Sequence, residues 1–399
     1  MVKKIRVLDL GRVLAGPFAA QILGDLGAEV IKVEHPLLGD DTRSWKPPSV
    51  SNDSAYFFAT NRNKKSIGID FKSKEGLKIL YDLIKNSDVL IENFRPGVTK
   101  RLKIDYKIIQ KLNPKLIYCS ISGFGQTGTL SNRAAYDYVV QAMSGILSLT
   151  GEINGDPVRC AGAISDYGTG VWAVVSILFA LLQKNQTKKG QHIDLAMQDT
   201  TLCYLSHVFS MYLADQSPPK RIGNGHNKIV PTNVYQTKDK PLMILCGNES
   251  MFHRLCKAVG KPNMFKDPRF IDNRSRSQNV KLLDNILKKI LRTDIQNNWI
   301  KKFSKYNVAV SPIRSVEEIC KAKDIKERNM IIDFKHQSGK KISMLGTPLK
   351  FSKFKTCEKV LPPPQLNQHT KEILKNTLGY SDKKIKNLLD TRVVGRYEN

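Results

Sequence analysis

An acidic residue at the start of a long apolar segment is the side chain best placed for chemistry in this sequence. Small residues lead into Ser165 and Asp166, and residues 168–182 form a largely apolar run. A serine or aspartate at a helix start accepts hydrogen bonds from the free N–H groups of the first turn, so Ser165 or Asp166 is predicted to cap a helix. The helix dipole favours an anion there, which predicts an ionised Asp166 at neutral pH. Such a carboxylate beside small residues is either a nucleophile or a plain helix cap.

A second candidate is the glycine-rich turn at residues 123–128, which has the spacing G-x-G-x-x-G after a predicted strand. A dinucleotide-binding fingerprint opens a helix and is followed by an acidic residue at the end of the next strand. This turn runs into a loop-like stretch, and no such acidic residue follows. We therefore do not predict NAD binding. The glycines favour a sharp turn that directs backbone N–H groups at a bound anion.

Alternating strands and helices predict an α/β fold that positions these residues. Short apolar runs predict strands at 5–10, 28–33, 67–70, 88–93, 116–122 and 192–197. Helices are predicted at 18–26, 74–85, 106–112, 136–149, 168–182 and 199–213.

The sequence changes character near residue 215, which predicts a domain boundary. We expect the N-terminal part of a large domain at 1–215, a linker at 216–229 and a small α+β domain at 230–321. The small domain should contain a hairpin near 238–241 and helices at 251–259 and 278–291. A linker and the C-terminal part of the large domain follow at 322–399, with a last helix at 370–378.

Composition is that of a globular enzyme, with 41% hydrophobic and 25% charged residues in 399. The formal net charge of +28 attracts polyanions such as nucleic acid, anionic membranes or a phosphate-rich cofactor. The lysines are scattered and no nucleic-acid-binding module accompanies them, so we interpret them as solvated surface and expect no nucleic-acid partner. A non-enzymatic basic scaffold is the weakest alternative.

Cysteine usage and apolar runs bear on the compartment. The seven cysteines are spread out without a Cys-x-x-Cys pair, which predicts reduced thiols, a cytoplasmic or organelle-matrix location and no metal site. The chain opens directly into a predicted strand, which favours the absence of a signal peptide. The 15-residue run at 168–182 is too short to span a bilayer and predicts a buried helix, so no membrane association is expected.

Taken together, several ordered blocks resemble the class III CoA-transferases of the CaiB–BaiF type. The blocks lie at residues 13–17, 30–34, 39–43, 61–66, 92–97, 123–128, 136–137, 166, 189–194 and 267–270. The resemblance implies a Rossmann-like large domain built from both chain ends, a smaller α+β domain and an interlocked homodimer. It also implies that coenzyme A enters as an acyl-CoA substrate, with no permanently bound cofactor.

The same resemblance makes Asp166 the nucleophile. Its carboxylate would attack an acyl-CoA thioester to give a mixed anhydride, and the freed thiolate would then give an aspartyl-CoA thioester that an acceptor acid collects. Backbone N–H groups near Ala15 and Gly16, or the glycine turns, would stabilise the oxyanions. Residues expected to contact CoA are Val13, Ile69, Asn93, Phe94 and Arg101, and also His35, where some members have arginine.

Sequence differences from related enzymes indicate which of the candidate reactions this chain catalyses. Related 2-methylacyl-CoA racemases use a histidine where this chain has Tyr136, and tyrosine, with a pKa of about 10, is a poor base at neutral pH. The formyl-CoA:oxalate branch has glutamine where this chain has Leu14, and its glycine-rich flap is reduced here to residues 246–249. The racemase is therefore the less favoured alternative, and a formyl-CoA:oxalate or carnitine-type transferase is the nearer one.

The likeness is closer to the succinyl-CoA:glutarate branch, in the blocks at 131–137, 154–159, 226–231 and 352–370. A dicarboxylate needs a cation for its distal carboxylate, and Arg43, Arg133 and Arg159 are the candidates, beside Tyr136 as a further substrate contact. Each arginine has a structural ion pair as its alternative role. Succinyl-CoA is the expected donor through the resemblance, while glutarate, malate and itaconate remain open as acceptors.

Overall fold

The strands and helices of the fold position the candidate site residues. The computed structural model describes residues 5–50, 53–226, 228–335, 339–354 and 360–397. Within these residues the strands are β1 Arg6–Asp9, β2 Glu29–Glu34, β3 Ser49–Val50, β4 Asp53–Ser54, β5 Lys64–Gly68, β6 Val89–Glu92, β7 Ile117–Ser122, β8 Gln191–Ala196, β9 Thr232–Gln236, β10 Pro241–Leu245, β11 Ala309–Pro312, β12 Ile331–Lys335 and β13 Lys341–Leu345.

The α-helices of the same residues connect and cover these strands. They are α1 Ala15–Asp25, α2 Ala55–Phe58, α3 Lys74–Lys85, α4 Val98–Arg101, α5 Tyr106–Leu112, α6 Asp137–Met143, α7 Ile146–Leu149, α8 Ile164–Thr187, α9 Met197–Cys203, α10 Ser206–Asp215, α11 Glu249–Ala258, α12 Asn273–Gln278, α13 Val280–Leu291, α14 Gln296–Lys305, α15 Val316–Lys321, α16 Lys323–Glu327, α17 Thr370–Glu372 and α18 Asp382–Asp390.

The chain packs as two compact units. The first contains Met1–Ile146, Cys160–Met211 and Lys326–Asn399, and the second contains Leu147–Arg159 and Tyr212–Ile325. Leu147–Arg159 thus belongs to the second unit, although the sequence analysis placed it in the large domain. The C-terminal segment packs with the N-terminal one, as in a large unit built from both chain ends.

The first unit contains a six-stranded sheet with the order β5-β2-β1-β6-β7-β8. All neighbouring strands are parallel, with Val7 of β1 paired with Val89 of β6 and Val89 paired with Ile117 of β7. This confirms the predicted α/β class. Ligands of open parallel sheets bind at the carboxyl ends of the strands, so the loops after β1, β2, β6 and β7 are where a site is expected.

Local sequence explains the regular helices. In α3, Ser73 accepts a hydrogen bond from the Gly76 N–H and caps the helix start. Apolar residues recur three and four positions apart and form the buried face, and Lys85 lies in the last turn, where the dipole favours a cation. This helix and α5 have the bounds that the sequence analysis predicted.

Helix α8 is longer and less buried than predicted. Its 24 residues include an 18-residue stretch with a mean hydropathy of 1.5, which has the length and apolar composition of a membrane-spanning segment. One side packs against α1, and Gly170 permits this approach because a Cβ there would lie 3.0 Å from the Ala15 carbonyl oxygen. The opposite side is exposed and apolar, with Val171, Trp172, Val175, Phe179 and Leu182. The helix is therefore only partly buried, whereas the sequence analysis predicted a buried helix.

Other predicted helices differ in their ends. The helix expected at 136–149 breaks into α6 and α7 because Gly145 has a φ of 89°. The helix expected at 199–213 likewise divides into α9 and α10. The segment at 370–378 contains α17 and a π-helical stretch, Ile373–Thr377. It is followed by α18, which the analysis did not predict although Ser381 caps its start.

The second unit is a small α+β structure. Strands β9, β10 and β11 form an antiparallel sheet, and β9 and β10 are the predicted hairpin. Its core includes Phe252, Leu283 and Phe303. The predicted helix at 251–259 is α11, whereas the one at 278–291 corresponds to α13 with the separate α12 before it.

Candidate active site

A cavity of about 380 Å³ lies in the first unit at the carboxyl ends of the parallel strands. It is bordered by the loops after β1, β2, β6 and β7 and by the start of α8. Seven of the residues predicted from the sequence line it, namely Val13, Asn93, Phe94, Arg101, Arg133, Tyr136 and Asp166. Residues far apart in the chain thus meet at one place.

Asp166 lies in the first turn of α8, but it does not cap the helix. The N-cap residue is Ala163, and neither Ser165 nor Asp166 provides a capping side chain. The buried carboxylate of Asp137 takes that role, since its Oδ1 accepts the Ser165 N–H at 2.7 Å and the Asp166 N–H at 3.2 Å. The predicted N-cap was therefore wrong, and Asp137 leaves the Asp166 side chain available to the cavity.

Asp137 is itself held in place by Gln141, one turn further along α6. The Gln141 Nε2 donates to the Asp137 Oδ2 at 2.6 Å, and the Gln141 Oε1 accepts the Cys160 N–H at 3.0 Å. This fixes a second carboxylate beside the first.

The ionisation of Asp166 also differs from the prediction. Burial, and to a smaller extent the nearby Asp137 carboxylate, raise the pKa of Asp166 to about 7, although a hydrogen bond from the Ala15 N–H opposes the rise. The dipole of α8 does not override these effects. At neutral pH part of this carboxyl group is therefore protonated, whereas the sequence analysis predicted it to be ionised.

The Ala15 N–H lies where the sequence analysis expected an oxyanion donor. Ala15 is the first residue of α1, and its N–H donates to the Asp166 carboxylate. The preceding turn contains Val13 with a φ of 68°, a conformation that β-branched residues rarely adopt. A specific and unusual backbone turn thus directs this N–H group.

Four arginines line the same cavity, namely Arg12, Arg95, Arg101 and Arg133. Arg12 forms an ion pair with Asp41, which also lines the cavity. The Arg133 guanidinium lies over the Phe124 ring at 6.0 Å from its centroid. A cavity with four guanidinium groups can bind phosphates and carboxylates.

Arg43 lies in a buried ion-pair cluster and not at the cavity. It is 5% exposed, and its guanidinium contacts Glu34 and Asp53 at 2.8 and 2.9 Å and lies 3.7 Å from the centre of the Phe57 ring. The two carboxylates raise the pKa of Arg43 above its usual range in spite of burial. The geometry therefore supports the alternative role predicted for Arg43, a structural ion pair, and does not support a substrate contact.

Three other predicted contacts lie elsewhere. Ile69 is 1% exposed and packs in the core under the sheet, with a bridge to Val394. His35 is exposed, and its Nδ1 accepts the N–H groups of Leu37 and Leu38 at 3.2 Å. Neither borders the cavity formed by the described residues. Arg159 belongs to the second unit, so its role stays a prediction.

The glycine turn at 123–128 is a loop, as predicted, and opens no helix. Its Gln126 N–H donates to the Asp194 carboxylate at 3.0 Å, which gives that donor a partner within the protein. Gly123 lines the cavity, and a Cβ there would overlap the Ala135 side chain. Close packing is therefore the observed reason for this glycine.

Several lining residues were missed by sequence reasoning, namely Arg12, Asp41, Arg95 and Ser122. Arg95 lies inside the block at 92–97 and Asp41 inside the block at 39–43, so the motifs contained that signal. Arg12 and Ser122 each follow or end a strand, the position where parallel sheets bind ligands.

Comparison with known proteins gives a consistent result. The family model described as CoA-transferase family III matches residues 2–370. The chain is 41% identical over 394 residues to the human succinyl-CoA:glutarate CoA-transferase, covering 99% of this chain and 90% of that protein. It is 42% identical to an acetyl-CoA:oxalate CoA-transferase of Acetobacter aceti, covering 91% and 92%. It also matches the crystal structure of a CAIB/BAIF family protein from Brucella suis with a TM-score of 0.84 and 38% identity, covering 94% and 98% of the two chains. A carboxylate in an arginine-lined cavity on this fold, together with these matches, shows that the chain belongs to CoA-transferase family III.

Proposed function

We propose that this enzyme transfers CoA from succinyl-CoA to a dicarboxylic acid such as glutarate, with Asp166 as the nucleophile. The observation that carries the proposal is the Asp166 carboxylate, which faces the Ala15 N–H at a cavity lined by four arginines. The relatives named for succinyl-CoA and glutarate support this choice of substrates.

The first half-reaction moves CoA onto the enzyme. The ionised Asp166 carboxylate attacks the thioester carbonyl carbon and the C–S bond breaks, so that CoA leaves as a thiolate and a mixed anhydride of the donor acid and Asp166 stays behind. The thiolate then attacks the aspartyl carbonyl, and the donor acid leaves as a carboxylate. Both attacking groups are anions, so no general base is required.

The second half-reaction repeats these steps in the opposite direction. The acceptor carboxylate attacks the aspartyl thioester, which gives a new anhydride and releases the CoA thiolate. Attack of that thiolate on the acceptor's carbonyl forms the product and restores the Asp166 carboxylate. The Ala15 N–H is the candidate donor to the oxyanions that form at the aspartyl carbonyl.

CoA contacts are proposed from the residues that border the cavity. Val13, Asn93 and Phe94 provide backbone and apolar contacts, and Arg101 and Arg95 provide cations for the phosphates. Ile69 and His35 stay proposals from the resemblance alone, because they lie away from the cavity.

Arg133 is the proposed partner of the distal carboxylate. It borders the same cavity as Asp166, and its charge matches a second carboxylate of the substrate. Tyr136 also borders the cavity and is 65% exposed, which leaves it accessible to a substrate.

We also propose a homodimer. The exposed side of α8 presents large apolar side chains, among them Val171, Trp172, Val175 and Phe179. Monomeric soluble proteins rarely expose so many contiguous apolar groups.

A cytoplasmic or matrix location remains our proposal, and it rests on cysteine usage. Six cysteines are free thiols, and Cys357 lies outside the described residues.

The test is a transfer assay with purified enzyme, succinyl-CoA and a panel of free acids that includes glutarate, malate, itaconate, oxalate and a matched monocarboxylate. We expect CoA esters of the longer dicarboxylates as the main products. Transfer to oxalate alone would favour the oxalate branch. Rapid solvent deuterium exchange at the α-carbon of a 2-methylacyl-CoA, without any transfer, would contradict the proposal and favour a racemase.

A further inference from the structure

A group of buried charges surrounds the turn before α1 and is not used in the proposed reaction. Asp9, Lys32, Asp40 and Lys64 are each at most 2% exposed. The Lys32 Nζ lies 2.9 Å from Asp40 and 3.8 Å from Asp9, and the Lys64 Nζ lies 2.8 Å from Asp9. Burying four charges has a desolvation cost, so their position needs an explanation.

These side chains bind the backbone of residues 11–17. The Lys32 Nζ donates to the Gly11 carbonyl at 2.9 Å, and the Lys64 Nζ donates to the Pro17 carbonyl at 2.8 Å. The Asp9 carboxylate accepts the Gly11 N–H at 2.9 Å, and both oxygens of Asp40 lie 3.3 Å from the Val13 nitrogen. Backbone groups on both sides of the turn are thus bound by buried charges.

The turn requires such anchors. Val13 has a φ of 68°, a strained conformation for a β-branched residue, which the surroundings must hold in place. Two residues later the Ala15 N–H donates to the Asp166 carboxylate. A relaxed turn would move this donor, because Val13 and Leu14 connect directly to it.

We propose that the buried Lys32–Asp40 pair is a positioning pair that holds the Val13 turn so that the Ala15 N–H stays directed at Asp166. Asp9 and Lys64 anchor the same turn from its two ends. Lys32 and Asp40 are positioning residues and not catalytic ones, because neither borders the cavity. This inference rests on the proposed role of Asp166.

The test follows the rate at which CoA becomes attached to Asp166, measured by rapid quench and intact mass after mixing enzyme with succinyl-CoA from pH 5.5 to 9. Only the first half-reaction is needed. The titratable and charged groups near the Asp166 carboxylate or bordering its cavity are kept unchanged, namely Tyr56 of α2, Asp137 of α6, Tyr167 of α8 and the four cavity arginines.

The Lys32→Met, Asp40→Leu double variant removes both charges of the pair, so neither charge is left buried without its partner. The turn then loses the two contacts that Lys32 and Asp40 make with its backbone. We expect the acidic limb of the pH–rate profile (the acid limb) to shift to higher pH by about one unit, because the Ala15 hydrogen bond that favours the Asp166 carboxylate is weakened. The plateau rate should fall by about tenfold or more. A purely structural role would lower stability without moving the acid limb.

Asp25→Asn is the matched control. Asp25 is 3% exposed at the other end of α1, and its Oδ1 accepts from the Arg62 Nε at 2.9 Å. We expect reduced stability with an unchanged acid limb.

Three results would overturn the inference. The first is a double variant that keeps the wild-type acid limb and plateau. The second is insolubility of both the double variant and the milder Asp40→Asn while the control folds, since the pair would then act on folding. The third is an absence of CoA attached to wild-type protein, which would refute the proposed function and this inference with it.

Discussion

The Asp137 Oδ1 accepts the main-chain N–H of Asp166 at 3.2 Å. The same carboxylate that supports the start of α8 also opposes ionisation of the Asp166 side chain. One carboxylate thus performs two tasks at the candidate site. It orients the first turn of the helix, and together with burial it raises the pKa of Asp166 to about 7.

Asp137→Asn should therefore shift the pH dependence of transfer. The variant keeps a carbonyl oxygen for the two N–H groups but loses the negative charge, so the pKa of Asp166 should fall below about 7. Because the carboxylate is the reactive form, kcat/KM should reach its plateau at a lower pH than in the wild type. The measurement is kcat/KM for succinyl-CoA from pH 5 to 9, with Asp194→Asn as the control. An acid limb that stays in place or rises would contradict this account.

Arg133 and Arg101 should differ in what their loss changes. Arg133→Gln is expected to lower kcat/KM for glutarate by about ten- to a hundred-fold, the effect of losing a charge-assisted pair, with little change for a monocarboxylate. Arg101→Ala should raise KM for every acyl-CoA alike. Steady-state kinetics with two acids and two acyl-CoA donors separates the two roles. Equal losses for both acids in Arg133→Gln would refute the assignment.

Arg43→Met is the comparison variant for Arg133→Gln and Arg101→Ala, because Arg43 lies away from the cavity. Arg43→Met leaves Glu34 and Asp53 without their buried partner, which typically costs about 3–5 kcal/mol of stability. We expect a lowered melting temperature and unchanged preference between acids. A selective loss of dicarboxylate activity at full stability would restore Arg43 as a substrate contact.

These assignments show what sequence alone could provide. The bounds of α3 and α5 were predictable because a capping Ser73 or Asp105 precedes a regular apolar pattern. The roles of Asp137 and Arg43 were not, because they depend on partners brought together by folding. The Asp137 contact joins positions 28 residues apart, and the ionisation of Asp166 depends on burial, which no local pattern fixes.

Glu92 should make stability depend on pH. It is 1% exposed at the end of β6, and burial raises its pKa to about 7 in spite of hydrogen bonds from Ser120 and the Phe94 N–H, with Asp194 adding a smaller rise. The folded protein therefore binds this proton at a higher pH than the unfolded chain does, and the group's contribution to stability falls as pH rises through 7.

Glu92→Gln tests this directly. The variant should be more stable than the wild type at pH 8, by up to about 3 kcal/mol, and the difference should shrink towards pH 5. Urea unfolding at the two pH values measures both free energies. A variant that is less stable by the same amount at pH 8 and pH 5 would show that Glu92 is held as a carboxylate.

The exposed side of α8 should mediate self-association. Phe179→Glu places a charge among the apolar side chains of that face and is expected to convert a dimer to a monomer or to insoluble protein. Light scattering after gel filtration gives the mass. Val316→Glu, at a residue 78% exposed in the second unit, is the control and should stay dimeric. A monomeric wild-type protein would refute the homodimer.

The most direct test of the central claim is mass spectrometry of the enzyme after brief incubation with succinyl-CoA and no acceptor. The account predicts wild-type protein heavier by one CoA less one water, with the label mapped to Asp166 and removed by glutarate. It also predicts no label on a folded Asp166→Ala variant. A label on another residue, or full transfer activity in Asp166→Ala, would contradict the account.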